Sequence, residues 1–128
     1  MKYIVFFLLT LPLMADINWI ENYEQGLSLA KKENKLIVLM LSKQNCKACE
    51  AMEYGALDDD DIVEDANENF VFIHVDVYHD TFPKKRFSYI GTPTFYFLNK
   101  DIKRLDRIMG VASSKEFFQT MQKVKKQK

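Results

Sequence analysis

The sequence predicts an α/β fold in which a mixed sheet of four or five strands is flanked by helices on both faces. Two observations carry this prediction. Apolar runs rich in β-branched and aromatic residues alternate with segments of helical periodicity, and a strand–turn–strand pattern precedes one last amphipathic helix. Strands separated by helices pair in parallel, whereas a closing hairpin adds antiparallel strands, so the sheet is expected to be mixed.

Length and composition are those of one globular domain. The chain has 128 residues, of which 48% are hydrophobic and 28% are charged, so it is long enough to bury one core. Its 18 basic and 18 acidic residues give a formal net charge of zero. A protein that binds phosphate backbones normally carries a basic excess, and we therefore expect no nucleic-acid partner.

The N-terminus has the pattern of a secretory signal peptide. Lys2 supplies a positive charge, an apolar run follows it, and Ala15 offers a small residue at the cleavage site. The apolar run falls short of the roughly 20 residues that a helix needs to span a bilayer. We therefore expect a signal peptide over residues 1–15, a mature domain over residues 16–128, and export to the periplasm.

The elements before the two cysteines are a helix and a buried strand. Asn18 is placed to cap a helix over residues 19–32. Residues 35–41 (KLIVLML) form a continuous apolar run, which is typical of a strand buried on both faces. The expected inward face of the helix consists of Trp19, Tyr23, Leu27 and Ala30.

The two cysteines follow this strand as a C-x-x-C motif. Cys46 is placed at or just before the start of a helix that runs to Gly55, with Cys49 one turn later. Four aspartates open a further predicted helix over residues 58–69, where acidic side chains favour the positive end of the dipole. Consecutive aspartates lack the alternating ligand spacing of a calcium loop, so no calcium site is expected there.

The second half of the chain is predicted to contain three strands, a short helix and the closing helix. Ser113 and Glu116 fit a capping box at the start of the closing helix. Its predicted inward face holds Phe117, Phe118, Met121 and Val124. The expected positions are residues 70–77, 91–98 and 102–109 for the strands and residues 83–88 for the short helix, with the last helix starting near residue 113.

The cysteine pair could be structural, metal-binding or redox-active. A disulfide across two intervening residues closes almost no loop, so it would restrain the unfolded chain little. A zinc site needs four ligands, and His74 and His79 complete that number. However, His74 lies inside an apolar strand, where a histidine is better explained as a hydrogen-bonded neighbour of the core. A metal site is therefore the weaker interpretation.

The position of the pair favours redox chemistry. At a helix N-terminus, Cys46 meets unpaired N–H groups and the positive end of the dipole, both of which favour thiolate over thiol. Lys47 adds a nearby positive charge and is a candidate for tuning the pKa, which in comparable motifs falls from about 8.5 to between roughly 3.5 and 7.5. Cys46 is thus the expected nucleophile, and Cys49 is close enough to resolve a mixed disulfide.

From about residue 18 to residue 124 the sequence resembles the thioredoxin superfamily. The matching elements are the strand that leads into CKAC, the VDV of residues 75–77, the IGTPTFYFL of residues 90–98 and the RIMGVASSKEFFQTM of residues 107–121. The resemblance implies a thioredoxin-like fold. It also implies a cis peptide bond before Pro93 beside the cysteines, and a substrate-binding role for the backbone of Thr92.

The sequence departs from the family pattern at three places. Asn45 replaces the usual Trp before the first cysteine, and residues 47–48 replace the usual Gly-Pro between the cysteines. Met40 stands where thioredoxin has a buried aspartate that helps to deprotonate the resolving thiol. Proton transfer must therefore use another group or water, and Glu50 and Glu53 are candidates.

These observations predict an exported thiol–disulfide oxidoreductase that acts on protein thiols or disulfides, as a reductase rather than an oxidant. Neither a cofactor nor a metal is expected. Resemblance to periplasmic reductases implies apocytochrome c as a possible substrate and a membrane redox partner. The isomerases of this group have an added dimerisation domain that is not visible here, so we expect a monomer.

Two other functions remain open from the sequence. One is a redox-inactive module or chaperone of the same fold that binds peptides in the groove beside the proline, with Thr92 and Tyr96 as candidate contacts. The other is metal delivery through Cys46 and Cys49.

Overall fold

The computed structural model describes residues 4–5 and 16–128, so most of the predicted signal peptide lies outside the described residues. Within the described part, no helix is long and apolar enough to cross a membrane. The elements, in chain order, are α1 Tyr23–Glu33, β1 Leu36–Ser42, α2 Lys47–Tyr54, a single 3₁₀ turn at Ala56–Asp58, α3 Asp60–Asn69, β2 Phe70–Asp76, β3 Thr94–Leu98, β4 Arg104–Met109 and α4 Ser114–Lys125.

The four strands form one mixed sheet in the order β2–β1–β3–β4. The central strand β1 is parallel to β2 and antiparallel to β3, and β4 pairs antiparallel with β3. All seven residues of β1 are buried, as its unbroken apolar sequence predicts for a strand covered on both faces. The predicted mixed sheet flanked by helices is confirmed, with four strands among the described residues.

Two apolar cores lie on opposite faces of the sheet, because successive side chains of a strand point to opposite sides. Met40 belongs to the core that also contains Cys46 and Cys49. The centre of this core is Phe117 of α4, whose ring centroid lies 5.1 Å from that of Phe95. Helix α1 covers the other face, where Tyr23 and Ala30 are buried.

The predicted start of the first helix was wrong by about one turn. Helix α1 is capped by Asn22, whose side-chain oxygen accepts a hydrogen bond from the N–H of Gln25 at 2.9 Å. The residues before it are extended instead. Ile20 donates its N–H to Phe72 O at 2.9 Å and accepts from the N–H of His74 at 3.0 Å, so this segment adds a short bridge to the outer edge of β2.

The predicted short helix at residues 83–88 is also wrong. This stretch forms turns in which Arg86 donates its N–H to Pro83 O at 3.0 Å and Phe87 donates its N–H to Lys84 O at 3.3 Å. The buried ring of Phe87 packs against Tyr96 at a centroid distance of 5.2 Å and so holds the loop against the sheet.

Two further boundaries differ from the sequence prediction. The aspartate-rich segment is divided between the 3₁₀ turn and α3, whose N-cap Asp59 accepts hydrogen bonds from the N–H groups of Asp61 and Ile62. Strand β3 begins at Thr94 rather than at residue 91. Pro93, which precedes it, has no N–H to donate to a strand ladder.

Candidate active site

The cysteine pair lies at the junction between β1 and α2. Cys46 is the N-cap of α2, and its Sγ accepts a hydrogen bond from the N–H of Cys49 at 3.1 Å. The two sulfurs form a disulfide, with the Cα atoms 5.2 Å apart, and the residues are 6% and 3% exposed. The first sulfur therefore sits at a helix N-terminus, where backbone N–H groups and the helix dipole stabilise negative charge.

Thr92 lies against the same sulfur, and the peptide bond between Thr92 and Pro93 is cis. The hydroxyl of Thr92 donates to Cys46 Sγ at 3.3 Å, and the carbonyl oxygen of Thr92 lies 3.6 Å from that atom. The carbonyl of Pro93 accepts a hydrogen bond from the N–H of Gly110 at 2.8 Å. The structure thus brings together the cysteine, threonine and proline residues that the sequence assigns to the site.

The charged candidates of the motif helix are all exposed. Lys47 is the first residue of α2, and Glu50 and Glu53 lie on its solvent side. Because water surrounds them, their charges act on the cysteines through a strongly screening medium. Both glutamates do line the cavity described next, so their position leaves them available for proton exchange with it.

A cavity of about 330 Å³ opens beside the disulfide. Its walls come from the ends of β1 and β2, the loop between β1 and α2, and α2 itself. At about 30 Å³ per water molecule, it has room for several waters. The residues that bear on chemistry are Cys46, Cys49, Glu50, Glu53, His74 and Asp76.

His74 lies at the site, although its position in an apolar strand indicates no role for it in the redox chemistry. Its Nδ1 lies 2.9 Å from Glu21 Oε2, and its ring contacts that of Trp19 edge-on at a centroid distance of 5.8 Å. The expected hydrogen bond at the border of the core is therefore present. The additional finding is that His74 also lines the cysteine cavity, because it lies near the carboxyl end of β2. The sequence does contain a signal for this position: the first two apolar strands are expected to pair in parallel, which places the end of β2 beside the end of β1, where the cysteines follow.

The two histidines do not converge. His79 is exposed in the turn that follows β2 and is not part of the cavity wall. Among residues 4–5 and 16–128, no three or more His, Cys, Asp or Glu side chains are grouped so as to hold a metal ion.

Tyr96 lies away from the proposed peptide groove. It is 2% exposed, belongs to the core on the α1 side of the sheet, and donates its hydroxyl to Ser88 O at 2.5 Å. Burial alone raises the pKa of Tyr96, but hydrogen bonds to Ser88 and Arg107 and the charges of Arg107 and Arg104 lower the pKa overall. The sequence-based suggestion that Tyr96 contacts a bound peptide is therefore wrong, because its ring faces the other core.

The mixed sheet, the disulfide at the start of α2 and the adjacent Thr92–Pro93 segment define a thioredoxin-like protein. The sequence model of the family described as "Thioredoxin-like domain" matches residues 23–125, and the chain belongs to this family. It thus has the thioredoxin-like domain and the C-x-x-C motif that the sequence resemblance predicts, and the two cysteines form a disulfide.

Solved structures confirm the fold. A thioredoxin from Thermus thermophilus superposes with a TM-score of 0.73 at 24% identity, over 85% of this chain and 87% of the other. A DsbH oxidoreductase superposes with a TM-score of 0.67 at 21% identity, over 89% of this chain and 90% of the other.

A curated relative matches only part of the chain. Anterior gradient protein 3 of Xenopus tropicalis is 32% identical over 69 residues, which make up 54% of this chain and 41% of that protein. The chain therefore spans less than half the length of the curated relative.

Proposed function

We propose that the protein is an exported thiol–disulfide oxidoreductase that reduces disulfides in other proteins. The observation that supports this most is the environment of Cys46 Sγ, which accepts hydrogen bonds from the N–H of Cys49 and the hydroxyl of Thr92 at the N-terminus of α2. Each of these groups favours a thiolate at Cys46 once the disulfide is reduced.

In the proposed reaction, the Cys46 thiolate attacks one sulfur of a substrate disulfide. A mixed disulfide forms, and the other substrate sulfur leaves as a thiolate. Cys49 then loses its proton and attacks Cys46 Sγ, which expels the first substrate sulfur and forms the Cys46–Cys49 disulfide. Two electrons pass from the dithiol to the substrate, so an external dithiol must reduce the protein before the next cycle.

The surface beside the disulfide supports a polypeptide as the substrate. Ile90 is 91% exposed and Val111 is 57% exposed, and they flank the segments that contain Pro93 and Gly110. The hydrogen bond from the N–H of Gly110 to Pro93 O holds these two segments together beside the proline. An extended substrate chain can lie across these two segments with its disulfide over Cys46. The backbone of Thr92 then pairs with the backbone of the substrate, as the family resemblance implies.

Export and partners extend the same proposal. The apolar N-terminal run after Lys2 supports secretion to the periplasm, with cleavage near Ala15. There, a reductase works against an oxidising environment and needs a continuous supply of electrons. A membrane redox partner is the proposed donor, and apocytochrome c is a proposed substrate, with the protein acting as a monomer.

The test is the reduction of insulin by dithiothreitol, followed as turbidity, with the wild-type protein and two variants. We expect the wild type to accelerate the reaction and Cys46→Ala to give the rate of dithiothreitol alone. Cys49→Ala should retain the first step and accumulate a mixed disulfide that mass spectrometry detects. Equal rates for wild type and Cys46→Ala would contradict the proposal and favour the redox-inactive peptide-binding function.

A further inference from the structure

The second step of the proposed reaction needs a base for the Cys49 thiol. Cys49 is buried, and so is Met40, the apolar residue that the family resemblance aligns with thioredoxin's buried aspartate. An apolar side chain cannot accept a proton, so the base must come from another element. The residues around the cavity beside Cys49 are the candidates.

The register of the sheet places a histidine next to Met40. Met40 of β1 is the direct partner of His74 in the parallel strand β2. Paired residues of neighbouring strands point to the same face of a sheet, and Met40 points to the core that holds both cysteines. His74 therefore lies on the cysteine side, one strand away from the position of the missing carboxylate, and it lines the cysteine cavity.

Hydrogen bonding leaves His74 with a usable lone pair. When Glu21 is a carboxylate it can only accept, so Nδ1 of His74 is the donor in their 2.9 Å contact. In a neutral imidazole the other nitrogen, Nε2, then carries the lone pair. Nε2 is buried, and no residue in the described part of the chain is its hydrogen-bond partner. A buried polar atom of this kind is costly to leave unpaired, which points to a functional role.

The carboxylates of the cavity are less suitable as the base. Glu50 and Glu53 are exposed on α2, where bulk water competes for their protons. Asp76 already accepts hydrogen bonds through Oδ1 from the N–H groups of Tyr78 and His79, at 2.8 and 3.1 Å. His74 alone among these groups combines partial burial with an oriented ring and an unpaired nitrogen.

We propose that Glu21 and His74 form an acid–base pair for the resolving step, an inference that rests on the proposed thiol–disulfide exchange. The Cys49 thiol gives its proton to Nε2 of His74 through a cavity water that reaches this buried nitrogen when the surrounding side chains shift, and the imidazole becomes an imidazolium paired with Glu21. The Cys49 thiolate then attacks Cys46 Sγ, and the expelled substrate thiolate takes up the proton. No electrons pass through the histidine.

The test separates the two sulfur steps. Reduced protein is mixed with excess Ellman's reagent in a stopped-flow instrument, and the first and second thionitrobenzoate ions report attack by Cys46 and resolution by Cys49. We expect His74→Gln to slow the second phase at least about tenfold near neutral pH, which is below the hundredfold of a fully aligned general base. The first phase should stay within about twofold of wild type, because His74 makes no hydrogen bond to Cys46.

The pH profile distinguishes a proton acceptor from a purely structural residue. As the pH rises, hydroxide can take the Cys49 proton in place of His74, so the difference between His74→Gln and wild type should shrink. A structural defect would persist at every pH. The charged and titratable groups that face the ring or its cavity are Glu21 before α1, Lys43 in the loop after β1, Glu50 and Glu53 on α2, and Asp76 on β2.

Two variants complete the design. His79→Gln is the matched control, since it removes the other histidine from an exposed turn and should change neither phase. Glu21→Gln alters a side chain that is 70% exposed, so the fold should tolerate it, and the second phase should slow about threefold.

An unchanged second phase in both His74→Gln and Glu21→Gln would overturn the acid–base pair while leaving the proposed function intact. Failure of the wild type to react at Cys46 would instead overturn the proposed function.

Discussion

At the scale of single residues, the reactivity of Cys46 depends on two hydrogen-bond donors. The N–H of Cys49 lies 3.1 Å from the sulfur and the hydroxyl of Thr92 lies 3.3 Å from it. Hydrogen bonds to a charged acceptor contribute about 1.5–3 kcal/mol. Thr92 is half-buried, so water can replace part of its contribution, whereas the backbone donor is fixed by the helix.

We therefore predict that Thr92→Val slows the alkylation of reduced Cys46 by iodoacetamide about three- to tenfold near neutral pH, which corresponds to roughly 0.7–1.4 kcal/mol. Valine keeps the shape of threonine and removes only the hydroxyl. Thr81→Val, in an exposed position away from the cysteines, is the matched control and should react like the wild type. Equal alkylation rates for wild type and Thr92→Val would show that the threonine hydroxyl does not stabilise the thiolate.

At the scale of elements, the contact between α1 and β2 is set by a glycine. Gly26 is buried in α1, and a Cβ at this position would collide with the side chain of Ile73, which is fully buried in β2. The glycine lets the helix approach the sheet closely. The same approach positions the segment before α1, whose Ile20 bonds to the edge of β2.

Gly26→Ala should lower the free energy of unfolding by about 1 kcal/mol. Overpacking a core costs about 1–3 kcal/mol, and the better helix propensity of alanine returns about 1 kcal/mol at most. Ser28→Ala, on the exposed face of the same helix, should instead gain a few tenths of a kcal/mol. Urea unfolding of the two variants measures this contrast, and a Gly26→Ala protein more stable than wild type would show that Ile73 can move aside at no cost.

The sequence predicts elements well where their signals are local. The apolar run of β1 and the Ser113 cap of α4 lie where the pattern puts them. The start of α1 does not, because Asn18 and Asn22 are both good N-caps and the choice depends on the pairing of Ile20 with a strand some 50 residues away. The turns at residues 83–88 likewise follow from the burial of Phe87 against another element.

The same limit applies to the candidate site. The cysteines, Thr92 and Pro93 belong to short motifs, so residue type and spacing point to them directly. The contact between Glu21 and His74 joins residues 53 positions apart, and it forms only because the bridge at Ile20 sets the preceding segment beside β2. No periodicity in the sequence encodes that approach, and His74 consequently looks like an ordinary strand residue.

At the scale of the whole molecule, the direction of electron flow is determined by the difference in free energy between the dithiol and the disulfide forms of the folded chain. A difference of 30 mV corresponds to about 1.4 kcal/mol. We predict a reduction potential closer to about −270 mV than to about −120 mV, because a reductase must hold its disulfide as the more stable form. Equilibration with thiol–disulfide buffers followed by alkylation and mass spectrometry measures the potential, and a value near −120 mV would indicate an oxidant.

The bridge at Ile20 also has a consequence for self-association. Ile20 forms hydrogen bonds with the N–H of His74 and the carbonyl of Phe72 on the outer edge of β2. These backbone groups are therefore not available to pair with a strand from another chain. A second chain could pair with this edge of the sheet only by displacing the segment that contains Ile20, and Glu21 would be displaced with it. Oligomers assembled through the β2 edge would therefore lose the carboxylate that orients His74.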